Sequence, residues 1–135
     1  MDSLTIAERS QRMRMVKSTD TKPEQLVRAL INKLGYRFLV HDPRLPGHPD
    51  FVFPQRRKVV FVHGCFWHRH NHCRLARLPK SRLDFWQPKL EQNKERDAIA
   101  RRALTRMGWS SLVIWECELG DPVKVMISLL VFLED

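Results

Sequence analysis

Between Val62 and Cys73 the chain reads VHGCFWHRHNHC, four histidines and two cysteines in twelve residues. Side chains of these types hold transition metals or move protons. A third cysteine, Cys117, stands far downstream. Cys65, Cys73 and Cys117 with one histidine make a Cys3His set, a normal complement for structural Zn2+. The plainer reading is three unrelated buried thiols, but four of the six histidines falling between 63 and 72 argue against it. For the fourth ligand the choice lies between His70 and His72. His72 adjoins Cys73, and neighbouring side chains rarely reach one ion together, so His70 is preferred and His72 stays open.

Asp50 is the second chemical feature. It follows a proline in PGHPDFVF, at the start of a short apolar run. A carboxylate there can bind Mg2+ together with backbone carbonyls and the phosphates of a substrate. The second acid and the lysine that often follow on the partner strand are missing, because that strand reads FVHG. Taken alone, a turn aspartate capping backbone amides is the commoner case. His63 and His68 change the weighing, since a histidine near neutral pH can accept a proton from water or donate one toward a phosphate.

The elements that must position these groups are legible in outline. TKPEQLVRALINKLG reads as a helix capped by Thr21 and ended by Gly35, with Glu24 in its first turn and Leu26, Val27, Leu30, Ile31 and Leu34 as the core face. YRFLVH, DFVF and KVVFV read as strands, the last two forming an antiparallel hairpin across PQRR. In that hairpin Asp50 falls opposite Phe61 or Val62. A long basic helix runs from about Leu83 to Met107, with Trp86, Leu90, Asn93, Asp97, Ala100 and Leu104 on one stripe. SSLVIWEC is a further strand ending at Cys117, and an amphipathic helix capped by Asp121 closes the chain. The order is helix, three strands, helix, strand, helix: one α/β domain over residues 1–135, with a mixed sheet and helices against it.

The charge narrows the partners. Lys and Arg number 24 against 15 Asp and Glu, a net charge of +9, which points to a polyanion, most often nucleic acid. Residues 1–20 carry Arg9, Arg12, Arg14 and Lys17 and read as a basic arm on that partner. Phe66, Trp67 and Trp86 are aromatics among basic and polar residues. Core packing is the plain reading of each, wedging or stacking against bases the sharper one. No apolar run approaches the ~18 residues of a membrane span, and no secretory h-region opens the chain, so a cytosolic setting is expected.

Taken together, RLPGHPDFVF, HGCFWHRHNHC, FWQPKLEQNKERD and VIWEC resemble the very-short-patch repair DNA mismatch endonucleases, from about Arg9 to Cys117. The resemblance implies a restriction-endonuclease-like α/β/α core with a structural zinc site, and a Mg2+-dependent nick 5′ to the thymine of a T·G mismatch in double-stranded DNA. It makes Asp50 the metal-binding aspartate, His68 the catalytic histidine, His63 a second active-site histidine and Glu24 a support for the metal's water. Val62 would bind the metal through its carbonyl. Cys65, His70, Cys73 and Cys117 would hold zinc, and Phe66, Trp67 and Trp86 would intercalate, with Met13 wedging from the opposite groove. A monomer in a bacterial cytosol is implied, with mismatch-repair proteins as candidate partners.

Overall fold

The structure, a computed structural model, describes residues 20–78 and 81–135. The basic arm and Met13 lie outside the described residues.

Helix α1 spans Lys22–Leu34. Thr21 Oγ1 accepts the Glu24 N–H at 3.4 Å, Pro23 occupies the first turn where its missing N–H is harmless, and Gly35 (φ 85°) ends the helix in the left-handed conformation. Val27 and Ile31 are fully buried, whereas Leu26 is 46% exposed and does not belong to the expected core face. That face is the narrow i, i+4 stripe of Val27 and Ile31 with Leu30 and Leu34 on its flanks.

Four strands follow: β1 (Leu39–Val40), β2 (Phe51–Phe53), β3 (Lys58–His63) and β4 (Ser110–Trp115). They lie in the order β1-β2-β3-β4, antiparallel except for the parallel pair β3 and β4. The expected strand over YRFLVH shrinks to two residues, because Tyr36 and Phe38 turn to pack on the core instead of continuing the ladder. Phe53 pairs with Lys58 and Phe51 with Val60, which carries Asp50 to a place opposite Phe61, one of the two expected registers. A 3-10 turn at Pro54–Arg56 makes the connection. Between the parallel strands runs α2 (Leu83–Arg106), and Gly108 (φ 87°) follows its end.

All three β2 residues are buried, so the sheet is covered on both faces. On one face Phe51, Phe53, Val60 and Ile114 meet Val27 and Ile31 of α1 and three residues of the last helix, α3 (Pro122–Glu134): Val125, Leu129 and Leu133. On the other, Val52, Val59 and Phe61 meet Leu104 of α2 and Leu45. Helices thus flank a mixed four-stranded sheet. Asp121 caps α3 as expected, its carboxylate accepting the Lys124 N–H at 3.3 Å. The helix is less amphipathic than expected, since Val123, Ile127, Leu130 and Val131 are exposed. Lys58 Nζ donates to the carbonyls of Phe132 and Asp135 at 2.6 Å each, and Arg56 to that of Leu133 at 2.8 Å. These cations satisfy carbonyls that the helix end leaves unpaired.

Candidate active site

The C-terminal end of β3 gathers three clusters. The first is Glu24, His41 and Asp50, whose ligand atoms lie within 4.8 Å of one another. Asp50 enters from the residue before β2, and its Oδ2 accepts the Val62 N–H at 2.7 Å. Glu24 reaches in from the first turn of α1, almost fully buried, with its Oε2 taking the Asp20 N–H and His41 Nε2, both at 2.8 Å. His41 Nε2 stands 4.0 Å from Asp50 Oδ1. Burial, and then the Glu24 carboxylate, push the Asp50 carboxyl up to about 8. Burial opposes ionisation of Glu24 too, yet hydrogen bonds from Asp50, His41 and the Asp20 amide hold it below the usual carboxylate range. Two acids sharing one proton is what crowding them without a counter-cation produces. The two carboxylates supply the hard oxygens that Mg2+ prefers. Val62 meets this cluster through its N–H, which donates to Asp50, whereas the expectation concerned its carbonyl.

The second cluster is His63, His68 and Asp97. His63 ends β3, and His68 sits in the turn beyond it. Their rings stack at 3.9 Å between centroids with planes 4° apart. His68 Nδ1 lies 2.6 Å from Asp97 Oδ2 of α2, which fixes that nitrogen as the donor and leaves Nε2 to accept. His63 is buried, and its Nδ1 has no hydrogen-bond partner among the described residues. Burial, then the His68 ring beside it, drives His63 down to about 3, so it is neutral at physiological pH.

The third is Cys65, His70, Cys73 and Cys117. Cys117 Sγ and His70 Nδ1 are 3.5 Å apart, about the N–S edge of a tetrahedron with Zn–S ~2.3 Å and Zn–N ~2.1 Å. All four donor atoms lie within 4.8 Å of one another, and a set of this kind is one that Zn2+ takes. Burial pushes the Cys65 thiol up to about 12, a price a bound cation would reverse by taking the thiolate. His70 stacks on Trp115 at 4.1 Å. His72 is exposed and lies outside the cluster. Cys117 falls in the 3-10 turn after β4 (Glu116–Gly120) rather than at the strand's end.

Phe66, Trp67 and Trp86 form an edge-on trio, with centroids 5.2, 5.5 and 6.0 Å apart. All three are half-buried, and none joins either core cluster. The loop carrying two of them is strapped to α2: Asn93 donates to the Trp67 carbonyl at 3.2 Å and Lys94 to Asn71 at 2.8 Å.

Sequence reasoning missed two residues here. Asp97 was placed on the α2 stripe without a role; its spacing from the apolar Leu90 and Leu104 was the available signal. His41 carried no signal, because only the β1–β2 pairing, with His41 N–H on the Asp50 carbonyl at 3.3 Å, brings it to the acids.

A mixed sheet with an acidic pocket, a histidine pair and a basic long helix is the layout of a nuclease. The fold is similar to the catalytic domain of the homing endonuclease I-Bth0305I, with TM-score 0.52 and 18% identity over 84% of this chain and 94% of that one. At that identity the likeness speaks for the fold. The family model of DNA mismatch endonuclease Vsr matches residues 1–75. Type II nicking enzyme V.XorIIP of Xanthomonas oryzae pv. oryzae is 52% identical over 89% of this chain and 88% of its own length. DNA mismatch endonuclease Vsr of Escherichia coli is 44% identical over 88% of this chain and 76% of its own. The protein is a DNA endonuclease, and it belongs to the Vsr family of DNA mismatch endonucleases.

Proposed function

We propose that the chain nicks one strand of double-stranded DNA 5′ to the thymine of a T·G mismatch, with Mg2+ at Asp50 and Zn2+ at Cys65, His70, Cys73 and Cys117. The observation that carries the reading is that the end of β3 meets both sets of groups: the Val62 N–H donates to Asp50 beside Glu24, and the next residue, His63, stacks on His68. Mg2+ bound there would stabilise charge on the attacking and leaving oxygens. Glu24 and His41 would order the water around it, and the Val62 carbonyl would add a ligand.

His68 Nε2 would take the proton of the attacking water, with Asp97 holding the ring in that tautomer. His63, neutral and buried, would orient the phosphate and fix the His68 ring by stacking, not act as an acid. Phe66, Trp67 and Trp86 would enter the base stack, with Met13 from the other groove, where a wobble pair opens more readily than a matched one. Lysines and arginines of α2 and the arm would hold the backbone and make affinity salt-dependent. Action as a monomer in the bacterial cytosol, alongside mismatch-repair proteins, completes the reading. Among the described residues no helix is long and apolar enough to cross a membrane.

The test is a nicking assay with Mg2+ on T·G, G·C and A·T duplexes in one sequence context. Nicking confined to T·G supports the reading. Equal nicking of all three overturns the mismatch assignment, and a dependence on some other base sequence indicates a nicking enzyme with another target.

A further inference from the structure

Beside His63 and Asp97 lies a cavity of about 430 Å³ whose other polar residues the proposed chemistry leaves without a role. It is formed where the loop before β2 leans on α2, and its polar lining is His48, His63, Arg96, Asp97 and Arg101. The loop is held unusually close. A Cβ on Gly47 would come within 2.8 Å of Ala100 Cβ and 3.1 Å of Phe61 Cε1, and Gly47 has a φ of 76°. Only glycine permits that approach. The next residue, His48, is itself left-handed at φ 45°, a conformation disfavoured for a residue with a Cβ. The loop thereby sets His48 in the lining of a cavity that His63 also lines.

Charge says what belongs there. Among the described residues Arg96 has no ion-pair partner, and the Arg101 guanidinium donates through Nε alone, to Ser111 Oγ at 3.1 Å. The one lining carboxylate, Asp97, is turned to His68. Two guanidinium groups and the histidines beside them match the oxygens of a phosphodiester. The cavity is shared with His63, so the group it takes is next to the one being cut.

We infer that the pocket of His48, His63, Arg96 and Arg101 seats a backbone phosphate of the cut strand neighbouring the scissile phosphate, and so sets the register of the strand against Asp50 and His68. This rests on the duplex-nicking function proposed above. Phosphate contacts of this kind position without reading sequence.

The experiment is a chemical cycle read by binding, with Ca2+ in place of Mg2+. Duplexes carry one neutral methylphosphonate at each position around the T·G pair in turn. Wild type is expected to lose about tenfold in affinity at one position beside the cut. Arg96→Gln/Arg101→Gln is expected to lose about as much on the unmodified duplex, with a smaller salt slope, and nothing further at that position. Methylphosphonates elsewhere should still weaken it. Both arginines are exposed, and each single variant gives a second cycle if the double variant melts early. Losses that multiply at every position overturn the inference. So does displacement of DNA by excess inorganic phosphate, at matched ionic strength, without a shared position, since that marks a site for the free ion. Binding needs no cleavage, so a protein that fails to nick T·G overturns the proposed function while the cycle remains readable.

Discussion

His68 and Asp97 meet at 2.6 Å between Nδ1 and Oδ2, from a loop and a helix 29 residues apart in sequence. In the proposed reaction Nε2 takes the proton, so the carboxylate binds the ring through the other nitrogen. A histidine free to choose its tautomer spends part of its time with the wrong nitrogen protonated; this bond removes that freedom. Asp97→Asn keeps the size but offers an amide that favours the other tautomer. A comparable change in serine proteases lowers kcat about 10⁴-fold. Here the expected fall in kcat for nicking is at least about 10²-fold, with KM nearly unchanged. A variant whose KM rises while kcat holds would show that Asp97 binds DNA instead.

Asp50 makes a prediction about the metal-free protein. Its folded value of about 8 lies above the ordinary 3.8. A group raised in this way costs nothing where both states are protonated, below about pH 4, and stability then falls as pH rises toward 8. Glu24 is shifted the other way from 4.5, so its contribution is complete above that pH and leaves the Asp50 slope unopposed. Without Mg2+ and with zinc retained, Asp50→Asn is expected to melt higher than wild type at pH 8, by on the order of 2 kcal/mol, while nicking is abolished. The gap should widen from pH 5 to 8 and flatten beyond. A gap independent of pH across thermal melts would refute the burial argument.

How much of this was legible in the sequence depends on the range of the interaction. The caps of α1 and α3, the β2–β3 hairpin and the limits of α2 follow from local residues, because Thr21, Gly35, Pro122 and Gly108 act within a turn of where they stand. The Cys3His cluster was also readable, since three donors sit in one loop and only Cys117 comes from afar. The β1 boundary was not, because Tyr36 and Phe38 are strand formers by type and core residues by position. His41 and the Gly47 loop were unreadable for the same reason. Their neighbours, Glu24, Asp50 and Ala100, are brought to them by the folded sheet and not by spacing along the chain.

Zinc gives the third prediction. Cys117 is exposed and forms no disulfide. For an exposed cysteine outside any special role, Cys117→Ser should change stability by no more than about 0.5 kcal/mol. As one of four ligands it is worth far more, since the metal's binding energy is part of the folding energy. The expected loss is about 3 kcal/mol or more, a fall in Tm of roughly 10 °C, reproduced in wild type by a strong chelator. His72→Ala, outside the cluster, should melt within about 2 °C of wild type. Equal melting of Cys117→Ser and wild type, with no zinc in the purified protein, would leave three thiols and no structural site.

Trp67 separates the two readings of the aromatic trio. As a core plug, its removal should cost about 3–5 kcal/mol, the usual figure for a buried Trp or Phe reduced to alanine. As a wedge, it meets its partner only when DNA arrives, and stability should barely respond. The structure favours the second: Trp67 is half-buried, touches Phe66 and Trp86 edge-on, and belongs to neither core cluster. Trp67→Ala is therefore expected to melt within about 1 kcal/mol of wild type. Stacking worth about 1–3 kcal/mol per base sets the functional loss, a fall of roughly 10- to 100-fold in nicking of the T·G duplex. Binding gives the control: affinity for the matched G·C duplex should not fall in proportion, so the ratio of T·G to G·C affinity drops. Were the melt to collapse while that ratio held, Trp67 would be a plug, and discrimination would have to come from elsewhere on the surface.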